Sequence, residues 1–188
     1  MSDYFLDGES RDVKAVANTV SRGKILANVF DQKFYAMRAH NGAGDLRFPF
    51  DPQPFTALVN IVGDVGEDVL RIYAKELISH GCVQAVCRGD EAGILNDIFG
   101  DLSEEGIADS NGCTFTSMAI DDEPLEEAIE YFILPCGLAS TGLLMVIGDS
   151  ADFQAGVKSF TDSAGNMQKS LKEPVYVEEE SVYFELVH

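Results

Sequence analysis

The chain has 188 residues, 46% hydrophobic and 24% charged, and a domain of that length buries about 70% of the surface that its unfolded chain exposes. Its 32 acidic and 13 basic side chains give a net charge of −19, which repels nucleic-acid phosphates and anionic lipid headgroups. The composition therefore argues against a wholly disordered chain and disfavours direct binding to nucleic acid or to a membrane.

The N-terminal flank, residues 1–54, is expected to add a helix and edge strands to a single domain. Arg11–Arg22 has a helical pattern that Ser10 can cap, whereas Lys24–Arg38 fits a helix or a hairpin, with strands favoured. Asp45–Pro54 contains three prolines and is expected to be a linker or an edge segment, because proline cannot donate to a sheet ladder.

Short apolar runs alternate with helical patterns over residues 55–164, as they do in successive βα units. The predicted strands are Phe55–Val62, Cys82–Cys87, Cys113–Ile120 and Leu143–Ile147. A helical pattern follows each strand, and the first of these helices is expected to stop at Gly81. The sequence thus predicts a Rossmann-like three-layer α/β fold with a mainly parallel sheet of about four core strands, flanked by edge strands from both termini.

The C-terminal tail, residues 165–188, alternates apolar and polar residues from Val175 to Val187. This alternation predicts a terminal hairpin or an added edge strand. An edge strand can pair with a second chain. Two hypotheses therefore stay open: that the chain forms a homo-oligomer, and that it is a structural subunit of a larger assembly.

The start of the chain lacks the basic and apolar regions of a signal peptide, and no apolar run reaches the ~18 residues that span a bilayer. A cytoplasmic protein is therefore expected. The cysteines, Cys82, Cys87, Cys113 and Cys136, form no C-x-x-C pair and are expected to be buried thiols in a reducing compartment.

A carboxylate follows each predicted core strand: Asp64, Asp90, Asp121 and Asp149. Carboxyl ends of parallel strands share one edge of a sheet, and clustered carboxylates suit Mg²⁺. This arrangement resembles, in architecture and without their full motifs, that of receiver domains and haloacid-dehalogenase-like phosphatases. One hypothesis is therefore a Mg²⁺-dependent phosphatase or other phosphoryl-transfer enzyme that uses these four aspartates.

Helix capping is the competing interpretation, and it applies to Asp64, Asp90, Asp122 and Asp149. Phosphoryl transfer needs cations, and Arg88 is the only one among these acids. No strand is followed by G-x-G-x-x-G spacing or by a Walker lysine. The capping interpretation is favoured, and under it the sequence predicts no catalytic residue and no cofactor. Under the alternative interpretation the predicted cofactor is Mg²⁺.

His80 and the run from Gln84 to Gly89 superficially resemble the histidine and cysteine signatures of caspases. In caspases the histidine precedes the cysteine by about 50 residues, whereas here one short strand separates His80 from Cys87. That strand would hold the two side chains at opposite edges of the sheet, about 20 Å apart, so no catalytic dyad is expected.

Acidic residues are concentrated around the third predicted strand and the helix that follows it. They are Glu104, Glu105, Asp109, Asp121, Asp122, Glu123, Glu126 and Glu127. A patch of this charge attracts lysine and arginine. The favoured hypothesis is a non-enzymatic binding or regulatory module for a basic protein partner, which resembles immunity proteins and charge-mimicking inhibitors in size and acidity.

Overall fold

The computed structural model describes residues 25–42, 46–107, 115–120, 122–134 and 139–170. Two predicted elements, the helix at Arg11–Arg22 and the strand-like segment Val175–Val187, lie outside these ranges. So do four residues named above, Asp109, Cys113, Asp121 and Cys136.

The described residues form six strands and four helices, and from β3 onward strand and helix alternate as the sequence predicts. The elements are β1 (Ile25–Val29), β2 (Gln32–Ala39), β3 (Phe55–Ile61), α1 (Glu67–His80), β4 (Cys82–Gly89), α2 (Ala92–Glu104), β5 (Thr116–Ile120), α3 (Leu125–Ile133), β6 (Thr141–Ile147) and α4 (Ser150–Ser170). Helix α1 ends at Gly81 in a left-handed conformation, as expected.

One six-stranded sheet runs in the order β1-β2-β6-β3-β4-β5. Strand β1 is antiparallel to β2, and every other neighbouring pair is parallel. The hairpin of β1 and β2 confirms the strands favoured for Lys24–Arg38. Strand β1 is an edge strand of the described sheet, as expected of this flank. Strand β2 corrects that expectation, because it lies inside the sheet, parallel to β6.

The direction of strand addition reverses between β3 and β6. From β3 the chain adds β4 and then β5 toward one edge, and it returns through α3 to place β6 on the other side of β3. This arrangement is compatible with a Rossmann-like layout, in which such a reversal opens a crevice at the carboxyl ends of the strands.

Two separate buried clusters lie against the sheet, one with side chains of α1 and α2 and the other with side chains of α3 and α4. In β6, Leu143, Met145 and Ile147 belong to the first cluster, whereas Leu144 and Val146 belong to the second. Both faces of β6 are thus covered, which explains why the whole strand is buried and why all of it after Thr141 is apolar.

Helix α4 is the longest of the described helices and extends to Ser170. Residues 165–170 therefore belong to this helix and not to the predicted tail. Near its end, the side-chain amide of Gln168 donates a hydrogen bond to the carbonyl of Asn28. This contact places the end of α4 beside β1.

No described helix, α4 included, is long and apolar enough to cross a membrane.

Gly89 ends β4 where two strands approach too closely for a side chain. Its φ is +106°, and an added Cβ would lie 1.9 Å from the carbonyl oxygen of Ile61 on β3. The same oxygen accepts a hydrogen bond from the N–H of Asp90 at 3.2 Å. Both the backbone conformation and the close approach require glycine here.

Gly89→Ala is expected to lower the free energy of unfolding by about 2–3 kcal/mol, because alanine meets both a strained conformation and a steric clash. Gly100→Ala is the matched control, since a Cβ at this exposed position of α2 meets nothing within 4 Å beyond its own helical turns. The control is expected to stabilise the protein by about 0.5–1 kcal/mol. Denaturant unfolding of both variants checks this, and equal effects would contradict it.

Candidate functional site

Asp149, which follows β6, caps helix α4. Its Oδ1 accepts hydrogen bonds from the N–H groups of Ala151 and Asp152 at 2.7 and 2.9 Å. In return, Oδ2 of Asp152 accepts from the N–H of Asp149 at 2.9 Å, so the two residues form a reciprocal capping box. The backbone hydrogen bonds from Asp152 and Ala151 lower the pKa of the Asp149 carboxyl. The capping prediction is confirmed for this residue.

Asp90, which follows β4, supports a neighbouring turn instead of capping its own helix. Its Oδ2 accepts a hydrogen bond from the N–H of Gly63 at 2.7 Å. The next residue, Glu91, uses Oε2 in the same way and accepts from Val65 at 2.7 Å and from Gly66 at 3.2 Å. No side chain caps α2. The capping prediction for Asp90 is therefore wrong, and its carboxylate ties the turn after β3 to the turn after β4.

The capping predictions for Asp64 and Asp122 are also wrong. The N-cap residues of α1 and α3 are Gly66 and Pro124, and neither helix has a side-chain cap. Both helices begin later than the sequence pattern indicated. They carry acidic residues inside their first turns, where negative charge interacts favourably with the helix dipole without occupying the cap position.

The predicted magnesium site has little support among the described residues. Two of its four aspartates, Asp90 and Asp149, accept hydrogen bonds from backbone amides, and Asp121 lies outside the described ranges. Within those ranges, no group of three or more His, Cys, Asp or Glu side chains is placed to share a metal ion. The described part of the carboxyl edge therefore holds no cluster of three such side chains.

Arg88, near the carboxyl end of β4, joins β4 to β3 and to the start of α3. Its Nη1 donates to Oδ1 of Asn60 at 2.9 Å, and its Nε donates to the carbonyl of Glu123 at 3.2 Å. Asn60 is only 3% exposed and lies opposite Arg88 in the register of the two strands. Arg88 thus fixes the position of the acidic segment that leads into α3.

The predicted acidic patch is divided between the two ends of the sheet. Glu104 and Glu105 lie at the end of α2, a helix that starts at the carboxyl end of β4 and finishes near the amino end of β5. The other described members follow the carboxyl end of β5: Asp122, Glu123, Glu126 and Glu127. Helices α2 and α3 also belong to different core clusters. The structure therefore separates Glu104 and Glu105 from the rest.

Helix α3 exposes a stripe that the sequence analysis did not identify. Its buried side consists of Ala128, Ile129, Phe132 and Ile133. On the opposite side, Glu127, Glu130, Tyr131 and Leu134 follow the three- and four-residue spacing of one helical face. Tyr131 and Leu134 are 53% and 64% exposed. The buried side of α3 is complete without Tyr131 and Leu134. Two apolar residues on the opposite side of the helix were therefore the sequence feature that could have indicated a second surface.

Strand β5 borders this stripe and is incompletely covered. Helix α2 packs on one face of β5, whereas α3 packs mainly on β3 and β4 and leaves Met118 46% exposed. A cavity of about 480 Å³ lies there, lined by Met118, Ala119, Ile120, Asp122, Glu123 and Tyr131. We call this cavity the β5–α3 groove. Among the described strands, only β4 pairs with β5, so that no described strand lies along its outer edge.

A larger depression, of about 820 Å³, lies at the amino-terminal edge of the sheet beside His80. The His80 ring stacks on Phe48 with centroids 3.8 Å apart, and its Nε2 lies 2.9 Å from the carbonyl oxygen of Phe50.

Cys87 is buried near the other end of β4, so the two caspase-like residues, His80 and Cys87, do not meet. Burial also raises the pKa of Cys82 to about 12 and keeps that thiol protonated. These residues serve packing.

Comparisons of the chain with protein-family models, with curated proteins and with solved structures find no match. Function therefore has to be inferred from the side chains themselves. At the carboxyl edge, Asp90 and Asp149 accept hydrogen bonds within the fold, whereas no such contact accounts for Met118 and Tyr131 of the β5–α3 groove or for Glu127 and Glu130 of its acidic helix.

Asp149→Ala is expected to lower the melting temperature by roughly 2–4 °C, as loss of one N-cap does in a chain of this length. Asp149→Asn should keep most of the stability, because asparagine is an equally good N-cap. Since the folded pKa of Asp149 is lowered, its ionic contribution is present above the unfolded pKa of about 3.9 and is lost as pH falls through the folded pKa.

Thermal melts from neutral to acidic pH, with and without millimolar Mg²⁺, check this prediction. The difference between the wild type and Asp149→Ala should shrink toward acidic pH. A saturable stabilisation by Mg²⁺ that both Asp149→Ala and Asp149→Asn abolish would instead identify a metal site.

Proposed function

We propose that this chain is a non-enzymatic acidic binding module, built on a Rossmann-like three-layer fold, that engages a basic protein partner. The outer face of α3 carries the proposal. Its glutamates Glu126, Glu127 and Glu130 are exposed, and the helix contains no lysine or arginine. This face lies beside Asp122 and Glu123 at the start of the helix.

The charges of this face are not neutralised by ion pairs within the described residues. The ion pairs there join Arg71 to Glu67 and Asp101, and Lys158 to Asp162, all outside α3. Glu126 accepts a hydrogen bond from the Ser159 hydroxyl at 3.0 Å and interacts with the charges of Arg88 and Lys158. The surplus of carboxylates on a chain of net charge −19 nevertheless produces a field that steers cationic partners toward it. A basic protein surface is the natural counterpart.

Helix stability alone does not explain this pattern. Glu126 and Glu127 lie in the first turn, where the helix dipole favours negative charge. Glu130 lies in the second half of the helix and is spaced three and four residues from the other two, so that like charges repel by about 0.2–0.5 kcal/mol per pair. A bound cationic surface would relieve this repulsion, which supports a binding role.

The carboxyl edge gives less support to catalysis. Asp90 and Asp149 hold turns and a helix start through backbone amides, and Arg88 is engaged by Asn60 and by the carbonyl of Glu123. These groups act on neighbouring parts of the fold, and none of them needs a substrate to explain its position.

The double variant Glu127→Gln/Glu130→Gln is expected to lose the natural partner. Its matched control is Glu104→Gln/Glu105→Gln, which changes the net charge equally at the opposite end of the sheet. Quantitative affinity purification from cells that naturally contain the chain, with the wild type and both variants as baits, should yield a basic protein retained by the wild type and the control. Recovery by the α3 variant should fall at least about threefold.

The affinity of the recovered protein should be confirmed with purified components by calorimetry, and it should weaken as salt is raised. Equal losses in the two double variants would indicate that net charge, and not the α3 face, attracts the partner. A partner that neither variant affects would contradict the proposal.

A further inference from the structure

We infer that the β5–α3 groove receives an extended basic segment of the partner, which adds as a strand to the outer edge of β5. Its apolar side chains would enter the groove, and its lysine or arginine side chains would meet the surrounding carboxylates. This inference rests on the proposed function, because it specifies where and how a basic partner binds.

The two edges of the sheet differ in how well they suit an added strand. The register of β1 against β2 is irregular between Ile25 and Ala27, and the end of α4 contacts Asn28. Irregular pairing and a covering helix protect an edge from further pairing. Strand β5 instead pairs regularly with β4, from Thr116 to Ile120. Of the described edges, β5 is therefore the better template for a further strand.

The floor and wall of the groove are apolar. Alternation along β5 places Met118 on the same face as Ile120, whose side chain belongs to the cluster formed with α3 and α4. Met118 stays exposed because α3 covers mainly the two strands beyond β5. Across the cavity, Tyr131 supplies an aromatic wall. Alternate side chains of an added strand would lie between the two.

The rim of the groove contains a carboxylate that lacks a hydrogen-bond donor. Oε2 of Glu123 is buried and has no hydrogen-bond partner. An unsatisfied buried carboxylate oxygen is costly, and a lysine or arginine of the partner would supply the donor. Asp122 lines the same cavity, and Glu127 and Glu130 share the helical face of Tyr131. The rim thus matches cationic residues that flank apolar ones.

Charge also favours a basic segment over two other occupants of the groove, a second copy of the chain and residues 171–188 of the chain itself. A second copy of the chain would bring the same carboxylates to the groove. Residues 171–188 of the chain itself contain five glutamates and a single lysine, and α4, the element that precedes them in the chain, ends beside β1 at the opposite edge of the sheet. Like charges directly opposed in a sheet are destabilising, so a basic segment is the favoured occupant.

The test uses a fluorescein-labelled synthetic peptide that alternates lysine and valine, with binding to the full chain followed by anisotropy. Met118→Ser and Tyr131→Ser should each weaken binding by about three- to tenfold, because each removes apolar contact from the groove. Ile94→Ser is the matched control. Ile94 is 42% exposed on α2, which packs on the other face of the sheet, and its replacement should leave the affinity unchanged.

Two further measurements test strand addition directly. Methylation of alternate backbone nitrogens on the edge of the peptide that faces β5 should weaken binding by about tenfold or more, because it removes ladder hydrogen bonds. Bound peptide should also slow amide exchange within Thr116–Ile120. Circular dichroism and thermal melts of each variant confirm that it is folded before its affinity is interpreted.

The outcomes separate this inference from the proposed function. If Glu127→Gln/Glu130→Gln weakens peptide binding while Met118→Ser, Tyr131→Ser and backbone methylation do not, strand addition is overturned and the acidic binding face stands. Failure of the wild type to bind the alternating peptide also overturns the inference. If neither the peptide nor a natural partner depends on α3, both proposals fail.

Discussion

Burial of the central strands on both faces is the constraint from which the rest of the arrangement follows. Every residue of β3 and of β6 is buried, so neither strand has a face that can meet water. Helices must therefore cover both sides of the sheet, and the chain supplies α1 and α2 to one side and α3 and α4 to the other. A helix about 10 Å wide covers roughly two strands spaced about 4.8 Å apart. Two helices on a side cannot fully cover six strands, and β5 is left partly open beside α3.

Two groups of acidic residues in this protein differ in the contacts that they make. At the carboxyl edge, Asp90, Glu91 and Asp149 accept hydrogen bonds from backbone amides in turns and at a helix start. Such amides have no partner within their own elements, so these carboxylates complete the hydrogen bonding of the fold. On α3, Glu127 and Glu130 make no such contact with the described residues, and we propose that they bind a partner.

An acidic face beside an apolar groove combines two contributions to recognition. In the proposed complex, the carboxylates of α3 would attract a basic partner over a distance of about 8 Å at physiological salt, and they would act mainly on the rate of encounter. Met118 and Tyr131 offer apolar contact that persists at any salt concentration and governs how long a partner stays. A partner that uses both would bind quickly and would also be selected by shape.

Much of the fold could be predicted from local patterns. The apolar runs of β3, β4 and β6 and the left-handed turn at Gly81 are properties of short segments, and the sequence alone determined them. The cap of α4 was also predictable, because Asp149 lies directly before the helix, whereas longer turns displaced Asp64 and Asp122 from the cap position.

Only the tertiary structure decided that β2 lies inside the sheet and that Glu104 is far from Glu127. It also decided that Tyr131 lines a groove beside β5. These outcomes depend on the order of the strands in the sheet and on the face of the sheet against which each connecting helix packs. Both are set by packing between segments distant in sequence, and no local pattern records them.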